Sequence, residues 1–209
     1  MDVRLADARD VEGIVDVHLR SSSVAYAALP PSVLAVSADA RRTKWREVLE
    51  EQLSRVWVAV DAGETSGFCH LRLPAGGGEP APAAEIASLY VDPSRWGQGT
   101  GRRLIETARG TAKASGCSVV TLQVYADNQP ARNFYEALGF VADEGTTVHE
   151  RTGLLLVRLS HGAPIIASLR SALIDVPAGG RPSHSRVGGL RSAAVYSPGP
   201  LHVVPRSRT

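Results

Sequence analysis

The stretch RWGQGTG, Arg95 to Gly101, places glycines at positions 97, 99 and 101. A strand-like run, EIASLYV (85–91), comes before it, and a helix-like run, GRRLIETARGTAKASG (101–116), follows. A helix N-terminus carries about half a positive charge and several unpaired N–H groups. Glycines leading into it let the backbone lie against an anion, because no Cβ intervenes. No carboxylate stands between Ser94 and Ile105, and Arg102 and Arg103 add positive charge. The junction reads as a phosphate cradle, with a plain tight turn as the alternative. A dinucleotide fold would place Gly-x-Gly-x-x-Gly on the first β–α turn, and a nucleotide P-loop would end in Gly-Lys-Ser/Thr. Here the spacing is Gly-x-Gly-x-Gly, deep in the chain, and that ending is missing.

The surrounding pattern predicts a mixed α/β domain. DVRLA makes a first strand, and Asp7 with Asp10 forms an approximate capping box for a helix over 8–21 that carries Val11, Ile14, Val15 and Leu19. Ser37 caps a second helix, ADARRTKWREVLEEQL, with Trp45, Val48, Leu49 and Leu53 on one side. RVWVAV and FCHLRL read as a hairpin around the turn DAGETSG, and PAGGGEPAPA as a flexible loop. SVVTLQVY (118–125) is nearly all apolar, as a buried central strand requires. Asn128, Pro130 and Gly139 bound a short helix, and FVADEG and HERTGLLLVRLS supply two last strands. The domain ends near residue 160. Residues 161–209 are rich in Gly, Pro, Ser and Arg and read as a disordered basic tail.

Charge and cysteines narrow the class. The formal net charge is +2, but six arginines and one acid, Asp175, lie beyond Ser160, leaving the body slightly acidic. Nothing there points to a nucleic-acid binder. Cys69 and Cys117 lack metal-like spacing and read as buried reduced thiols. No His/Cys/Asp cluster has metal spacing, so no metal is expected. The N-terminus lacks a signal core and no run reaches membrane-span length, so the expected location is cytoplasmic, with no membrane partner.

Two segments, EIASLYVDPSRWGQGTGRRLIETA and NQPARNFYEALGF, occur in this order. They resemble the pyrophosphate-binding loop and the later Asn-x-x-Ala-x-x-Phe-Tyr-x-x-x-Gly-Phe motif of the GNAT superfamily, the acyl-CoA-dependent N-acetyltransferases. The element order over 1–159 agrees, and the tail lies outside the resemblance. The resemblance implies a mostly antiparallel sheet with flanking helices and a splayed central strand pair, 85–91 and 118–125. It implies acetyl-CoA as co-substrate and an amine as acceptor. The backbone of Leu89, Tyr90 and Val91 would pair with the pantetheine arm, and amides of Gly97, Gln98, Gly99, Thr100, Gly101 and Arg102 would hold the pyrophosphate. Asn128 and Ala131 would line the other side of the arm. Trp96 stands where the family carries Arg or Gln, and reads as a lid or packing residue.

An ammonium with a pKa near about 10 must lose a proton before it attacks a thioester. Glu85 is the candidate base, acting through water, with an ordinary strand-end acid as the alternative. The Val91 N–H would serve the oxyanion. Tyr135 would give a proton to the departing thiolate, with simple packing behind Phe134 as the alternative. His18, His70 and His149 are weaker candidates. The leading expectation is acetylation of a small-molecule amine. Acetylation of a protein or peptide, a non-catalytic acyl-CoA-binding module, and a homodimer all stay open.

Overall fold

The computed structural model describes residues 1–25, 27, 36–76, 82–150 and 152–162. Strand β1 (Asp2–Leu5) leads through a 3-10 turn (Ala8–Asp10) into α1 (Val11–Ala25). Then come α2 (Ala38–Glu50), β2 (Ser54–Asp61), β3 (Glu64–Arg72) and β4 (Ala83–Val91). After these follow α3 (Thr100–Ala114), β5 (Val119–Tyr125), α4 (Gln129–Glu136), β6 (Val141–Ala142), β7 (Thr147–Val148) and β8 (Leu155–His161). The tail beyond residue 162 and the tip of the loop at 77–81 lie outside the described residues.

The expected caps form. Asp7 and Asp10 make a reciprocal capping box, Ser37 Oγ accepts from Ala40 N at 3.2 Å, and Asn128 Oδ1 accepts from Ala131 N at 3.1 Å. Other boundaries move for local reasons. α1 runs four residues past its expected end because Ser21 and Ser22 are buried, and Ser21 Oγ donates to the Val91 carbonyl at 2.8 Å. α2 ends at Glu50 because Glu51 turns extended, leaving Leu53 exposed rather than on the buried side. The hairpin turn is two residues, Ala62 and Gly63, both at positive φ, so β3 starts at Glu64. Three strands close the domain instead of two. Ahead of β8 the His149 N–H donates to the Leu154 carbonyl at 2.8 Å.

The eight strands of the described residues form one sheet, ordered β1-β2-β3-β4-β5-β8-β6, with β7 also on β8. Every pairing is antiparallel except β4 with β5. This is the expected mixed, mostly antiparallel sheet with flanking helices. The strands alternate between two cores. One, with Trp57, Leu71, Ile86, Leu89 and Val91, packs on Leu104, Ile105 and Ala108 of α3 and on Ala131 and Tyr135 of α4. The other, with Val56, Val58, Phe68 and Tyr90, packs on Val11, Ile14 and Val15 of α1 and on Trp45 and Val48 of α2. Cys69 and Cys117 are free and buried, and burial pushes both thiols up. No helix among the described residues is long and apolar enough to cross a membrane.

The entry to α1 depends on one buried carboxylate. Asp10, 6% exposed, accepts two bonds from the Arg4 guanidinium, each 2.7 Å, and one from the Asp7 N–H at 2.8 Å. The Arg4 bonds hold its pKa below the usual carboxylate value. Because the folded-state pKa is depressed, this stabilisation is full above the unfolded value, about 3.9, and fades as pH falls through the folded value. Asp10→Asn should therefore cost about 1–3 kcal/mol at pH 7. The difference from wild type should hold constant down to about pH 5 and shrink below about pH 4. Urea denaturation at several pH values measures this. A difference that persisted unchanged at low pH would remove the carboxylate as its source.

Candidate active site

A single extra residue opens the sheet. In the β3–β4 ladder His70 faces Ser88 and Leu71 faces Ile86, so Ala87 is a bulge. β4 pairs with β5 only from Ala83 to Ile86, opposite Val119 to Leu122. The parallel pairing thus stops where the bulge begins, and a bulge bends and twists its strand. Beyond that point the strands splay, as expected.

Backbone alternation fixes what the gap offers. The Asp92 N–H donates to the Ser66 carbonyl at 2.9 Å, so in this antiparallel ladder the Tyr90 backbone bonds to β3. The backbone groups of Leu89 and Val91 therefore turn toward β5. On the far side the Ala126 N–H donates to Leu155 at 2.9 Å, which turns the Gln123 and Tyr125 backbone toward β4. The Val91 carbonyl already accepts from Ser21 Oγ at 2.8 Å and from Trp96 Nε1 at 2.7 Å. What β4 presents to the gap is then the Leu89 N–H and carbonyl and the Val91 N–H. Tyr90 instead points its side chain at α1. Half-buried Trp96 packs on the α3-side core and clamps the end of β4.

The glycine run lies beyond that end. Gly97 and Gly99 take φ of +75° and +85°, a region that strains any residue with a Cβ, and nothing lies within 4 Å of where a Cβ would sit. Gly99 is the N-cap of α3 without a side-chain cap bond, and no acid stands in the first turn. The N–H groups of Thr100, Gly101 and Arg102 therefore have no partner within the helix. Gln98 is exposed and bonds back to the Ser94 carbonyl at 2.9 Å. Arg102 sits 3.8 Å from Glu106, one turn along.

α4 brings Tyr135 to the same core. Its side chain is fully buried and its hydroxyl has no hydrogen-bond partner. A buried hydroxyl left unpaired costs about 1–3 kcal/mol, so a polar ligand atom reaching it would be favoured. Burial, with Cys69 and Tyr90 nearby, pushes its pKa well above the ordinary phenol value, which keeps it a proton donor at neutral pH. The rings of Phe134 and Phe140 meet it edge-on at 5.1 and 5.7 Å. Asn128 caps α4, and Ala131 is wholly buried beneath it.

Glu85 lies on the closed half of β4, directly across from Arg72, whose Nη1 is 3.3 Å from Glu85 Oε2. Both side chains are partly exposed. Two buried polar residues sit further along on the α1–α2 side. Ser88 Oγ has no partner, and His70 Nε2 lies 2.9 Å from Ser54 Oγ, which donates to Glu51 at 2.7 Å. Burial lowers the His70 pKa to about 3, too weak a base for an amine. His18 is buried and stacks on Tyr90, with centroids 4.4 Å apart. His149 caps its turn, accepting from the Thr152 N–H at 3.2 Å. Sequence reasoning passed over Ser21 and Ser88. Ser21 stands one turn from His18 on the buried stripe of α1, a polar residue at an apolar position. Among the described residues no group of three or more His, Cys, Asp or Glu could hold a metal ion.

The site therefore combines a splayed parallel strand pair with an uncapped, glycine-led helix N-terminus. The chain belongs to the GNAT acetyltransferase family, whose model matches residues 24–140. It is similar to an uncharacterized N-acetyltransferase of Methanocaldococcus jannaschii, 41% identical over 66 residues, which cover 32% of this chain and 29% of that protein. It is also similar to mycothiol acetyltransferase of Kocuria rhizophila, 34% identical over 80 residues, 38% of this chain and 26% of that protein. The chain thus spans less than a third of either relative's length. Among solved structures it shares the fold of the PaiA N-acetyltransferase of Thermoplasma acidophilum in complex with coenzyme A. That match has a TM-score of 0.54 at 18% identity and covers 76% of this chain and 98% of the other.

The positive φ at Gly99 has a direct consequence. Gly99→Ala meets no atom but should cost about 1–2 kcal/mol from strain alone. Gly110→Ala, within α3 and equally open, should instead gain about 0.4–1 kcal/mol. Thermal melts of the two variants should move in opposite directions. A Gly99→Ala melt no lower than wild type would mean that the loop relaxes out of this conformation.

Proposed function

We propose that the protein is an acetyl-CoA-dependent N-acetyltransferase acting on a primary amine of a small molecule. The observation that carries this reading is the alignment of three features: the open half of β4, the uncapped N-terminus of α3 and the buried, unpartnered Tyr135 hydroxyl. An extended pantetheine arm matches the strand edge, a pyrophosphate matches the helix N-terminus, and a departing sulfur matches a buried phenol. The coenzyme A complex of the Thermoplasma neighbour supports the cofactor assignment. The relatives' names agree on acetyl transfer; one names mycothiol and the other names no acceptor.

In this reading the Leu89 backbone and the α3 amides hold acetyl-CoA, which supplies the activated acetyl group. Asn128 fixes the start of α4 and so the position of Tyr135. The Val91 N–H donates to the carbonyl oxygen on which negative charge develops. Glu85 takes the ammonium proton through a chain of waters along β4, its carboxylate steadied by Arg72. Tyr135 Oη–H donates to the sulfur as the C–S bond breaks, and the proton shed by the new amide nitrogen restores the phenol. A thiol pKa near about 8.5 makes the thiolate a fair leaving group unaided, so the phenol refines the step rather than creating it.

Calorimetry with acetyl-CoA and desulfo-CoA tests the cradle. Wild type should bind both, and Gly99→Glu should bind neither. In a thiol-release assay across amines, Tyr135→Phe should lose about 10²-fold in kcat with acetyl-CoA affinity retained. No binding by wild type would overturn the assignment. Binding without turnover of any amine would leave an acyl-CoA-binding module.

A further inference from the structure

The deepest cation in the described structure has no counter-charge. Arg41, on α2, is 8% exposed. Its Nη1 lies 2.8 Å from His18 Nε2 and 3.4 Å from His18 Nδ1, and its buried Nε has no partner. No carboxylate among the described residues pairs with it, whereas the next residue, Arg42, bonds Glu12 and Asp39 at the surface. Nor does the segment joining α1 to α2, residues 26–37, contain an acid. An arginine cannot discharge itself by losing a proton, so this buried charge stands uncompensated.

Arg41 lines a cavity of about 370 Å³ between α1 and α2, together with His18, Val36, Lys44, Trp45 and Glu47. That volume suits a small metabolite. Lys44 is already committed to Glu47 at 3.4 Å and to Glu51 at 3.8 Å, and neither acid forms an ion pair with Arg41. The unmatched group in the wall is the guanidinium, whose planar fork fits a carboxylate. The cavity wall reaches β4 through His18. His18, which holds one edge of Arg41, stacks on Tyr90 of β4, and one turn further on Ser21 binds the Val91 carbonyl.

We propose that this cavity takes the carboxylate of the acceptor, with Arg41 as its counter-ion, so that the acetylated amine belongs to a small amino acid. The assignment rests on the acetyltransferase reading and narrows its substrate class. Arg41 is a specificity-determining residue in it: it grips the acid end, while the amine reaches toward the open half of β4. The bound carboxylate gives the guanidinium a direct anionic partner that the described residues do not supply, and a neutral amine of the same shape would leave it unpaired.

The test uses the full chain, acetyl-CoA, the common amino acids and their matching carboxamides. At least one amino acid should be acetylated, with kcat/KM about 10²-fold or more above its carboxamide. In Arg41→Met that preference should collapse, mainly through KM, with the acetyl-CoA Kd within twofold of wild type. Thermal melting gives a readout independent of turnover. The preferred amino acid should raise the Tm of wild type and not that of Arg41→Met. Without ligand, Arg41→Met should melt no lower than wild type, because it removes an uncompensated buried charge. Arg41→Lys should keep part of the preference and guards against a misfolded Met variant. If carboxamides are acetylated as well as acids, or if acetyl-CoA binds but no amino acid is acetylated or shifts the melt, the carboxylate site falls and the acetyltransferase reading stands. If acetyl-CoA fails to bind, that reading falls first, and a wild-type melt unmoved by every amino acid then also removes the carboxylate site.

Discussion

The inserted residue at Ala87 governs the site. A parallel strand pair that stayed in register would bond its backbone groups to itself and leave none for a ligand. The β3–β4 ladder keeps its bonds on both sides of the bulge, so β4 bends away from β5 without losing its other neighbour. The open edge exists only because β3 and the two helical layers hold β4 from three sides. Leu89 and Val91 are locked into the α3-side core, and Tyr90 into the α1-side core.

The ends of that edge are finished by side chains rather than by strand pairing. Ser21 and Trp96 both bond the Val91 carbonyl, one from α1 and one from the turn after β4. Asn128 N–H takes the Tyr125 carbonyl at 2.9 Å on the opposite strand. Acceptors that would otherwise be orphaned are thus satisfied within the protein, while the Val91 N–H remains directed into the gap. In the proposed function this selection is chemical as well as geometric: a developing negative oxygen needs donors, and the two carbonyls at the mouth are already occupied.

Charge is arranged in the same sense. Acids and bases on the surface pair with one another, as in Arg20 with Asp92 at 2.6 Å and Arg95 with Asp61 at 2.9 Å. Among the described residues, the α3 N-terminus and the buried Arg41 are two places where positive potential is left without an answering carboxylate. They lie on opposite faces of the sheet, one beside each core. In the proposed function those are the faces of donor and acceptor, and the thioester and amine meet through the gap between them.

The glycine run, the caps at Asp7, Ser37 and Asn128, and the apolar strand 119–125 were legible because each rests on local rules: φ preference, a side chain reaching three residues along, or an alternating pattern. The two motifs together placed the glycine run and Tyr135 within one domain. Other features had no local signature. Strand β7 is two residues long and exists only because β8 passes beside it. The bulge at Ala87 leaves no mark in a run of apolar residues, since it depends on the register of the neighbouring strand. Ser21 reads as a weak helix residue until Val91 comes within reach. Arg41 and Arg42 are adjacent and chemically identical in the sequence, yet packing buries one and leaves the other at the surface. Sequence alone determined most of the helices and strands and the glycine-led start of α3. Tertiary packing decided where the sheet opens and which charges stay unpaired, because both are settled by neighbours distant along the chain.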